Sequence, residues 1–328
     1  MTFPLYRRPG AIVFLDDDPD YLEMLAHVMP GQWCVRVISQ PLACIDMLLE
    51  EIQSSEQDWW NQQEIINRWR EGSALIPQIL SYWRSNGTSR FALAQVCVVD
   101  YSMPAMSGLK VLSKLTQWSG SRILLTGRAD EQLAVMAFNS GLIQQFIPKQ
   151  SPEIRLQLTD TIQSFLHQPD TRHQQIWRAT LSREQSALLS DPVVSEQLEK
   201  LALQQNWVEH VVIGAPFGVL ALKSSARVVW LQLESANRLG ELAEMAESQA
   251  WHASAVQDIR LGKKLVDLEL QLALGSGQRP TLSECFVIGS DAAPLHAALF
   301  DINEVFCPTA TYSYQHFIAG QSQRLIQG

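Results

Sequence analysis

Residues 11–25 read AIVFLDDDPDYLEML, and this stretch decides the fold of the first half of the chain. Its first five residues are apolar and rich in branched side chains, which is typical of a buried strand. The aspartates Asp16 to Asp18 follow at once. The helical spacing of apolar residues after Pro19 predicts a helix. The segment therefore predicts a strand, an acidic loop and a helix.

The same alternation continues to about residue 168. Further apolar strands are predicted at 34–38, 96–99, 122–125 and 145–147, and further helices at 41–52, 131–139 and 152–165. Strands that alternate with helices predict an α/β fold with a doubly wound parallel sheet. In such sheets the functional groups collect just beyond the carboxyl ends of the strands.

Five polar residues occupy these strand ends: Asp16, Asp17, Asp100, Thr126 and Lys149. Clustered carboxylates repel one another and require a cation, and Mg²⁺ suits oxygen ligands of this kind. The ion would screen Asp100 from an incoming phosphoryl group, which makes Asp100 the candidate nucleophile. Lys149 and the hydroxyl of Thr126 would then contact the phosphoryl oxygens.

Four segments carry a family resemblance: LDDDP at 15–19, VVDYSMPAMSGLKVL at 98–112, LLTGRAD at 124–130 and FIPK at 146–149. Together they resemble the signature segments of the receiver domains of bacterial two-component response regulators. The resemblance covers about residues 11–168. It implies a flavodoxin-like, five-stranded parallel sheet of strand order 2-1-3-4-5 and an aspartyl phosphate formed with Mg²⁺.

The resemblance also implies how the metal is held. Asp17 and Asp100 would be direct ligands, Asp16 would assist through water, and the backbone carbonyl of Ser102 would be a third ligand. Gly108 matches the turn that follows the phosphoacceptor in this family.

A conformational switch and its partners follow from the same resemblance. Thr126 and Phe146 would be the switch residues, and the surface from Asp130 to His167 would change partners on phosphorylation. The implied donor is a histidine kinase or a phosphotransfer protein. The surface could also form a homodimer.

Two features depart from the family pattern. Receiver domains usually place proline directly after the active-site lysine, whereas here Pro148 precedes Lys149 and Gln150 follows it. The Lys149–Gln150 peptide should therefore be trans. The second departure is a tryptophan-rich helical insertion at about 53–94, for which packing onto the receiver domain is favoured over a protein interface.

The second half carries no output signature that we recognise. We expect a receiver domain at 1–168, a helical linker at 169–206 that begins with a polar segment at 170–175, and an α+β output domain at 207–328. Predicted strands lie at 209–213, 217–222, 227–233 and 284–288, and predicted helices at 235–250 and 261–274.

The composition indicates the cellular compartment and the kinds of partner to expect. The chain has 328 residues, a formal net charge of −9 and five scattered cysteines, and it has no apolar run of membrane-spanning length. These features favour a cytoplasmic protein with reduced thiols and no membrane partner. The acidic balance gives no general attraction to nucleic acid.

The favoured function is that of a phosphorelay response regulator whose output acts by protein contacts, dimerisation or ligand binding. The receiver would be a phosphoacceptor and not an enzyme, although an enzymatic output is not excluded. Two alternatives stay open: a transcriptional regulator that binds DNA, and a pseudo-receiver scaffold that signals without phosphorylation. A pseudo-receiver predicts that Lys149 points out of the acidic pocket.

Overall fold

The computed structural model of the chain describes residues 2–127, 131–290 and 294–327. They form two compact units. The parallel-sheet unit comprises Pro9–Asp58, Thr88–Gln168 and Gln315–Gly328. The antiparallel-sheet unit comprises Met1–Arg8, Trp59–Gly87 and Pro169–Tyr314.

The strands are, in chain order, β1 (Tyr6–Arg7), β2 (Ala11–Leu15), β3 (Cys34–Ile38), β4 (Ala94–Asp100), β5 (Ser121–Thr126), β6 (Gln145–Pro148), β7 (Trp207–Gly214), β8 (Phe217–Lys223), β9 (Val228–Ser235), β10 (Lys264–Val266), β11 (Leu282–Glu284), β12 (Phe286–Ile288) and β13 (Leu295–Asp301). The α-helices are α1 (Pro19–Val28), α2 (Pro41–Arg70), α3 (Leu75–Ser85), α4 (Gly108–Lys114), α5 (Glu131–Asn139), α6 (Ile154–Leu166), α7 (Thr171–Arg178), α8 (Arg183–Leu189), α9 (Pro192–Gln204), α10 (Arg238–Ser248), α11 (Ala253–Arg260), α12 (Leu268–Leu274) and α13 (Tyr314–Gln327).

The parallel-sheet unit is built on five strands in the order β3-β2-β4-β5-β6, and every pairing is parallel. Counted from β2, this order is 2-1-3-4-5, so the predicted doubly wound fold is confirmed. Apolar clusters cover both faces, one containing Val99 and the other Val98, because successive residues of a strand point to opposite faces. The central strands are therefore fully buried, as their apolar sequences predict.

The antiparallel-sheet unit has a six-stranded sheet in the order β1-β7-β8-β9-β13-β12. Its neighbouring strands all pair antiparallel. Strands β10 and β11 form a separate two-stranded sheet. The predicted α+β class of the C-terminal part is therefore confirmed.

The division into units differs from the predicted boundaries. Residues 169–206 belong to the antiparallel-sheet unit and are not a linker between units. The polar segment at 170–175 begins α7, since Asp170 caps this helix by accepting hydrogen bonds from the backbone amides of Arg172 and His173.

The insertion also groups differently from the prediction. Its residues Trp59–Gly87 belong to the antiparallel-sheet unit, whereas its ends, 53–58 and 88–94, belong to the parallel-sheet unit. Within the antiparallel-sheet unit, Trp83 Nε1 donates a 2.9 Å hydrogen bond to Glu209, and Trp177 Nε1 donates a 2.8 Å bond to Gln62. Buried indole groups are stabilised when they find such acceptors.

Two other predicted elements are broken in the structure. The helix predicted at 261–274 is interrupted because Gly262 has a φ of +64° and leads into β10. The strand predicted at 284–288 is split at Cys285 into β11 and β12, which belong to different sheets. No helix in the described part of the chain is both long enough and apolar enough to cross a membrane.

Candidate functional site

Three carboxylates meet at the carboxyl edge of the parallel sheet. Asp16 follows β2, Asp17 comes next in the loop, and Asp100 ends β4. One carboxylate oxygen from each lies within 4.8 Å of the others. Asp16 and Asp100 are buried and Asp17 is exposed. The structure thus brings together the aspartates that the sequence predicts, in a group open to solvent on one side.

The acidic loop is fixed by its own backbone. Asp16 Oδ1 accepts a 3.1 Å hydrogen bond from the amide of Asp18. Asp18 in turn caps α1, since its Oδ1 accepts from the amides of Asp20 and Tyr21. Each aspartate of the DDD run therefore has a separate position, and Asp18 is a helix cap and not a metal ligand candidate.

The loop after Asp100 approaches the site closely. Asp100 Oδ2 accepts a 3.1 Å hydrogen bond from the amide of Ser102. Gly108 N donates to the carbonyl of Tyr101 at 2.9 Å. A Cβ atom at Gly108 would lie only 2.2 Å from the carbonyl oxygen of Asp100, so only glycine fits. The role of the Ser102 carbonyl as a metal ligand stays a prediction.

Lys149 points into the acidic group. Its Nζ lies 2.7 Å from Asp16 Oδ2 and 2.8 Å from Asp100 Oδ1. Its backbone amide donates a 2.8 Å hydrogen bond to the carbonyl of Thr126. The cis peptide bond found in the described residues joins Ala215 and Pro216, so Lys149–Gln150 is trans as predicted. The unusual proline position therefore does not prevent the lysine from reaching the site.

The charged side chains of this group shift one another's pKa values. Burial raises the pKa of Asp100 above its ordinary value, and the hydrogen bond from Lys149 only partly opposes that shift. Burial lowers the pKa of Lys149, but hydrogen bonds and negative charge from Asp100 and Asp16 outweigh it and raise the pKa overall. The lysine is thus held as a cation between two buried carboxylates.

Thr126 ends β5, next to the end of β4. Its side chain is fully buried, and among the described residues its hydroxyl has no hydrogen-bond partner. A buried hydroxyl without a partner is costly, which makes it ready to bond a group that enters the site. The Thr126 hydroxyl, which was predicted as a hydrogen-bond donor, therefore lies at the expected strand end and is available to donate.

Phe146 lies on β6, where it is half-buried and packs against the apolar cluster that contains Val99. It pairs in register with Leu124 of β5, two residues before Thr126. The predicted switch residues thus occupy neighbouring strands. The predicted partner surface begins at Asp130, which lies outside the described residues, whereas its remainder from 131 to 167 is described.

One neighbour of the site was not identified from the sequence. The Nζ of Lys149 lies 4.6 Å from the centre of the Tyr21 ring, a cation–π distance. In the sequence Tyr21 reads only as an apolar position of α1. Its place in the first turn after the acidic loop is the signal that could have found it.

Comparison with known proteins identifies the architecture. No protein-family model matches the chain, and no curated protein matches it either. Among solved structures, the Legionella pneumophila response regulator LqsR is similar over 97% of this chain and 96% of that chain, with a TM-score of 0.66 and 22% identity. The chain has the fold of a response regulator. The predicted resemblance is thereby confirmed at the level of the fold.

Two further structures align with about half of the chain. A response regulator receiver domain protein from Clostridium thermocellum covers 48% of this chain and 94% of that chain, with a TM-score of 0.32 and 17% identity. An adenylate cyclase from Rhodopirellula baltica covers 48% of this chain and 90% of that chain, with a TM-score of 0.30 and 20% identity. These TM-scores are too low to assign an activity to the chain.

Proposed function

We propose that the parallel-sheet unit is a working receiver domain that takes a phosphoryl group onto Asp100 in a Mg²⁺-dependent reaction. The observation that carries this proposal is the position of Lys149, whose Nζ lies within 2.8 Å of Asp100. A pseudo-receiver predicts an outward lysine instead. The inward lysine therefore favours phosphorylation.

The donor set fits Mg²⁺. Asp17 and Asp100 would hold the ion directly, Asp16 would act through a bound water, and the Ser102 carbonyl would complete the protein ligands. Three carboxylates within 4.8 Å of one another are hard oxygen donors of the kind that Mg²⁺ takes. When bound, the ion would neutralise charge on the transferring phosphoryl group.

The remaining residues would receive and fix the phosphoryl group. An Asp100 oxygen forms the new P–O bond while the P–N bond of a phosphohistidine donor breaks, and the histidine nitrogen keeps the bonding electron pair. Lys149 would leave Asp16 and bind a phosphoryl oxygen, and the free hydroxyl of Thr126 would donate to another. The donor would be a histidine kinase or a phosphotransfer protein in the cytoplasm.

Signalling would pass to helix α5. This helix carries four exposed apolar side chains: Leu133, Val135, Met136 and Phe138. Exposed apolar groups on one helix mark an interaction surface. When Thr126 turns toward the phosphoryl group, Phe146 on the next strand would follow, and the α5 surface would then bind a partner or a second copy of the chain. The antiparallel-sheet unit would be the output, acting by protein contacts, dimerisation or ligand binding.

Intact-mass spectrometry tests the phosphoacceptor directly. The full chain is incubated with acetyl phosphate with and without Mg²⁺, beside Asp100→Asn and the control Asp160→Asn, which changes an exposed aspartate on α6. We expect one added phosphoryl group in the parent and in Asp160→Asn, only with Mg²⁺, and none in Asp100→Asn. An adduct that persists in Asp100→Asn, or none in any sample, contradicts the proposal.

A further inference from the structure

A cavity lies in the antiparallel-sheet unit, and no residue of the phosphoacceptor site lines it. Its volume is about 500 Å³, a size typical of small-molecule pockets. Four apolar residues line part of its wall: Leu188, Pro216, Phe217 and Leu272. They come from α8, the β7–β8 turn, the start of β8 and α12, so the cavity is built by several elements of one unit.

A buried carboxylate also lines the cavity. Glu234, at the end of β9, is only 3% exposed yet lines the cavity. Its Oε1 accepts a 2.9 Å hydrogen bond from Gln232. Its Oε2 lies 3.7 Å from Nε of Arg238, which is longer than a direct hydrogen bond. The protein therefore balances the negative charge of the Glu234 carboxylate only in part.

The nearby cation is already engaged. Arg238 donates from Nη1 to Glu241 at 2.7 Å and from Nη2 to Glu269 at 2.9 Å. Glu269 and Glu184 also line the cavity. The lining therefore holds three carboxyl groups, those of Glu184, Glu234 and Glu269, against one guanidinium, so acidic groups outnumber basic ones.

The protonation of Glu234 reflects this imbalance. Burial raises its pKa to about 7, the negative charge of Glu269 adds to the increase, and Gln232 and Arg238 oppose it. A cation placed beside Glu234 would favour the ionised carboxylate. The residues that line the cavity therefore carry too little positive charge to balance Glu234, and a cationic ligand could supply it.

The charges exclude two ligand classes. An anion would meet Glu184, Glu234 and Glu269 with only Arg238 as counter-charge. A divalent metal requires several close ligands, but within the described ranges the one group of three or more with that spacing is Asp16, Asp17 and Asp100. An organic cation with an apolar body would match both the acidic groups and the apolar residues that line the cavity.

We propose that this cavity binds a small organic amine, with its ammonium group beside Glu234 and its apolar body against Leu188, Phe217 and Leu272. The site would give the output unit a ligand of its own. This inference goes beyond phosphoryl transfer and is independent of it.

Calorimetric titration of the full chain tests the ligand class. The probes are tryptamine, phenethylamine and hexylamine, each paired with the alcohol that has a hydroxyl in place of the amino group. We expect at least one amine to bind about tenfold or more tightly than its alcohol, because the charge meets partly desolvated carboxylates. If no amine binds more tightly than its alcohol, the proposal is overturned.

Variants locate the binding. Glu234→Gln keeps the shape of the side chain and removes its charge, so the preference for amine over alcohol should disappear. Leu272→Arg places a cation at the cavity rim, and Leu203→Arg makes the same change at an equally exposed leucine outside the lining, since both are 71% exposed. Only the first of these two should weaken amine binding.

Equal weakening by Leu203→Arg, or an unchanged preference in Glu234→Gln, would refute the assignment. Circular dichroism verifies the folding of each variant, and Leu272→Arg keeps the test decisive if Glu234→Gln fails to fold. Phosphorylation of Asp100 is measured in the same samples. Because it should be unchanged by these substitutions, failure of the amine site and failure of the phosphoacceptor site are distinguishable.

Discussion

At the scale of single residues, the acidic site at the sheet edge follows the sequence closely because each of its groups ends or directly follows a strand. Asp16, Asp100 and Lys149 converge since parallel strands present their carboxyl ends at one edge of the sheet. The contact between Tyr21 and Lys149 could not be predicted in this way. The contact depends on the direction in which α1 points the Tyr21 ring after the cap at Asp18. A linear sequence pattern does not specify that direction.

Tyr21 should position Lys149 through its ring. We predict that Tyr21→Leu slows phosphorylation of Asp100 by about 2- to 30-fold, because a cation–π contact contributes on the order of 0.5–2 kcal/mol. Tyr21→Phe keeps the ring and should react at the parent rate, since the Tyr21 hydroxyl is buried without a hydrogen-bond partner among the described residues. Initial rates with acetyl phosphate and Mg²⁺ measure both. Equal slowing in the two variants would show that the ring is not responsible.

At the scale of elements, helices were easier to predict than their ends. Helix α2 was expected to end near Ile52 but continues to Arg70. No proline or glycine occurs between Pro41 and Gly72, so the sequence contains no signal that would end it earlier. In contrast, the helix predicted at 261–274 begins only at Leu268, and Gly262 before it has a φ of +64° at a place where a Cβ would lie 2.6 Å from the ring of His296. That obstruction comes from a distant strand and is invisible in local sequence.

The N-terminal strand β1 should be sensitive to acid. It pairs with β7, where His210 stacks on Phe3 and its Nε2 contacts the Pro4 carbonyl at 2.9 Å. Burial, and then the charge of Arg7, lowers the pKa of His210 from 6.5 to about 3. The folded state therefore binds this proton less readily than the unfolded chain. The neutral ring contributes stability that is complete above pH 6.5 and is lost as the pH falls toward 3.

We predict that a fall from pH 6.5 to 4.5 costs the parent about 2–3 kcal/mol more unfolding free energy than it costs His210→Gln. Glutamine can still donate to the Pro4 carbonyl but does not titrate. Urea unfolding followed by tryptophan fluorescence at both pH values measures the difference. If the two proteins lose the same stability, His210 is not the source of the acid sensitivity.

At the scale of the whole molecule, the sequence predicts a boundary near residue 168, but the chain crosses between its two units several times. Residues 1–8 and 59–87 join the antiparallel-sheet unit although they precede or interrupt the receiver sequence. The contact of Trp83 with Glu209 spans 126 residues. A tryptophan at helical spacing predicts that a face is buried but not which distant strand covers it.

Assembly is the molecular consequence that we expect of phosphorylation. A beryllofluoride-treated parent should elute as a dimer in gel filtration with Mg²⁺, because its α5 surface becomes able to pair. Met136 on α5 is 66% exposed, and Met136→Glu should raise the dimer dissociation constant about tenfold or more by placing a charge in an apolar contact. Leu42→Glu is the matched control, since Leu42 on α2 is 60% exposed and outside that surface.

Both variants should still gain one phosphoryl group on Asp100, so a loss of dimer in Met136→Glu alone would separate assembly from chemistry. A dimer that survives Met136→Glu, or one lost equally in Leu42→Glu, would place the contact elsewhere. A parent that stays monomeric while fully phosphorylated would contradict the prediction that the exposed apolar side chains of α5 form a dimer contact.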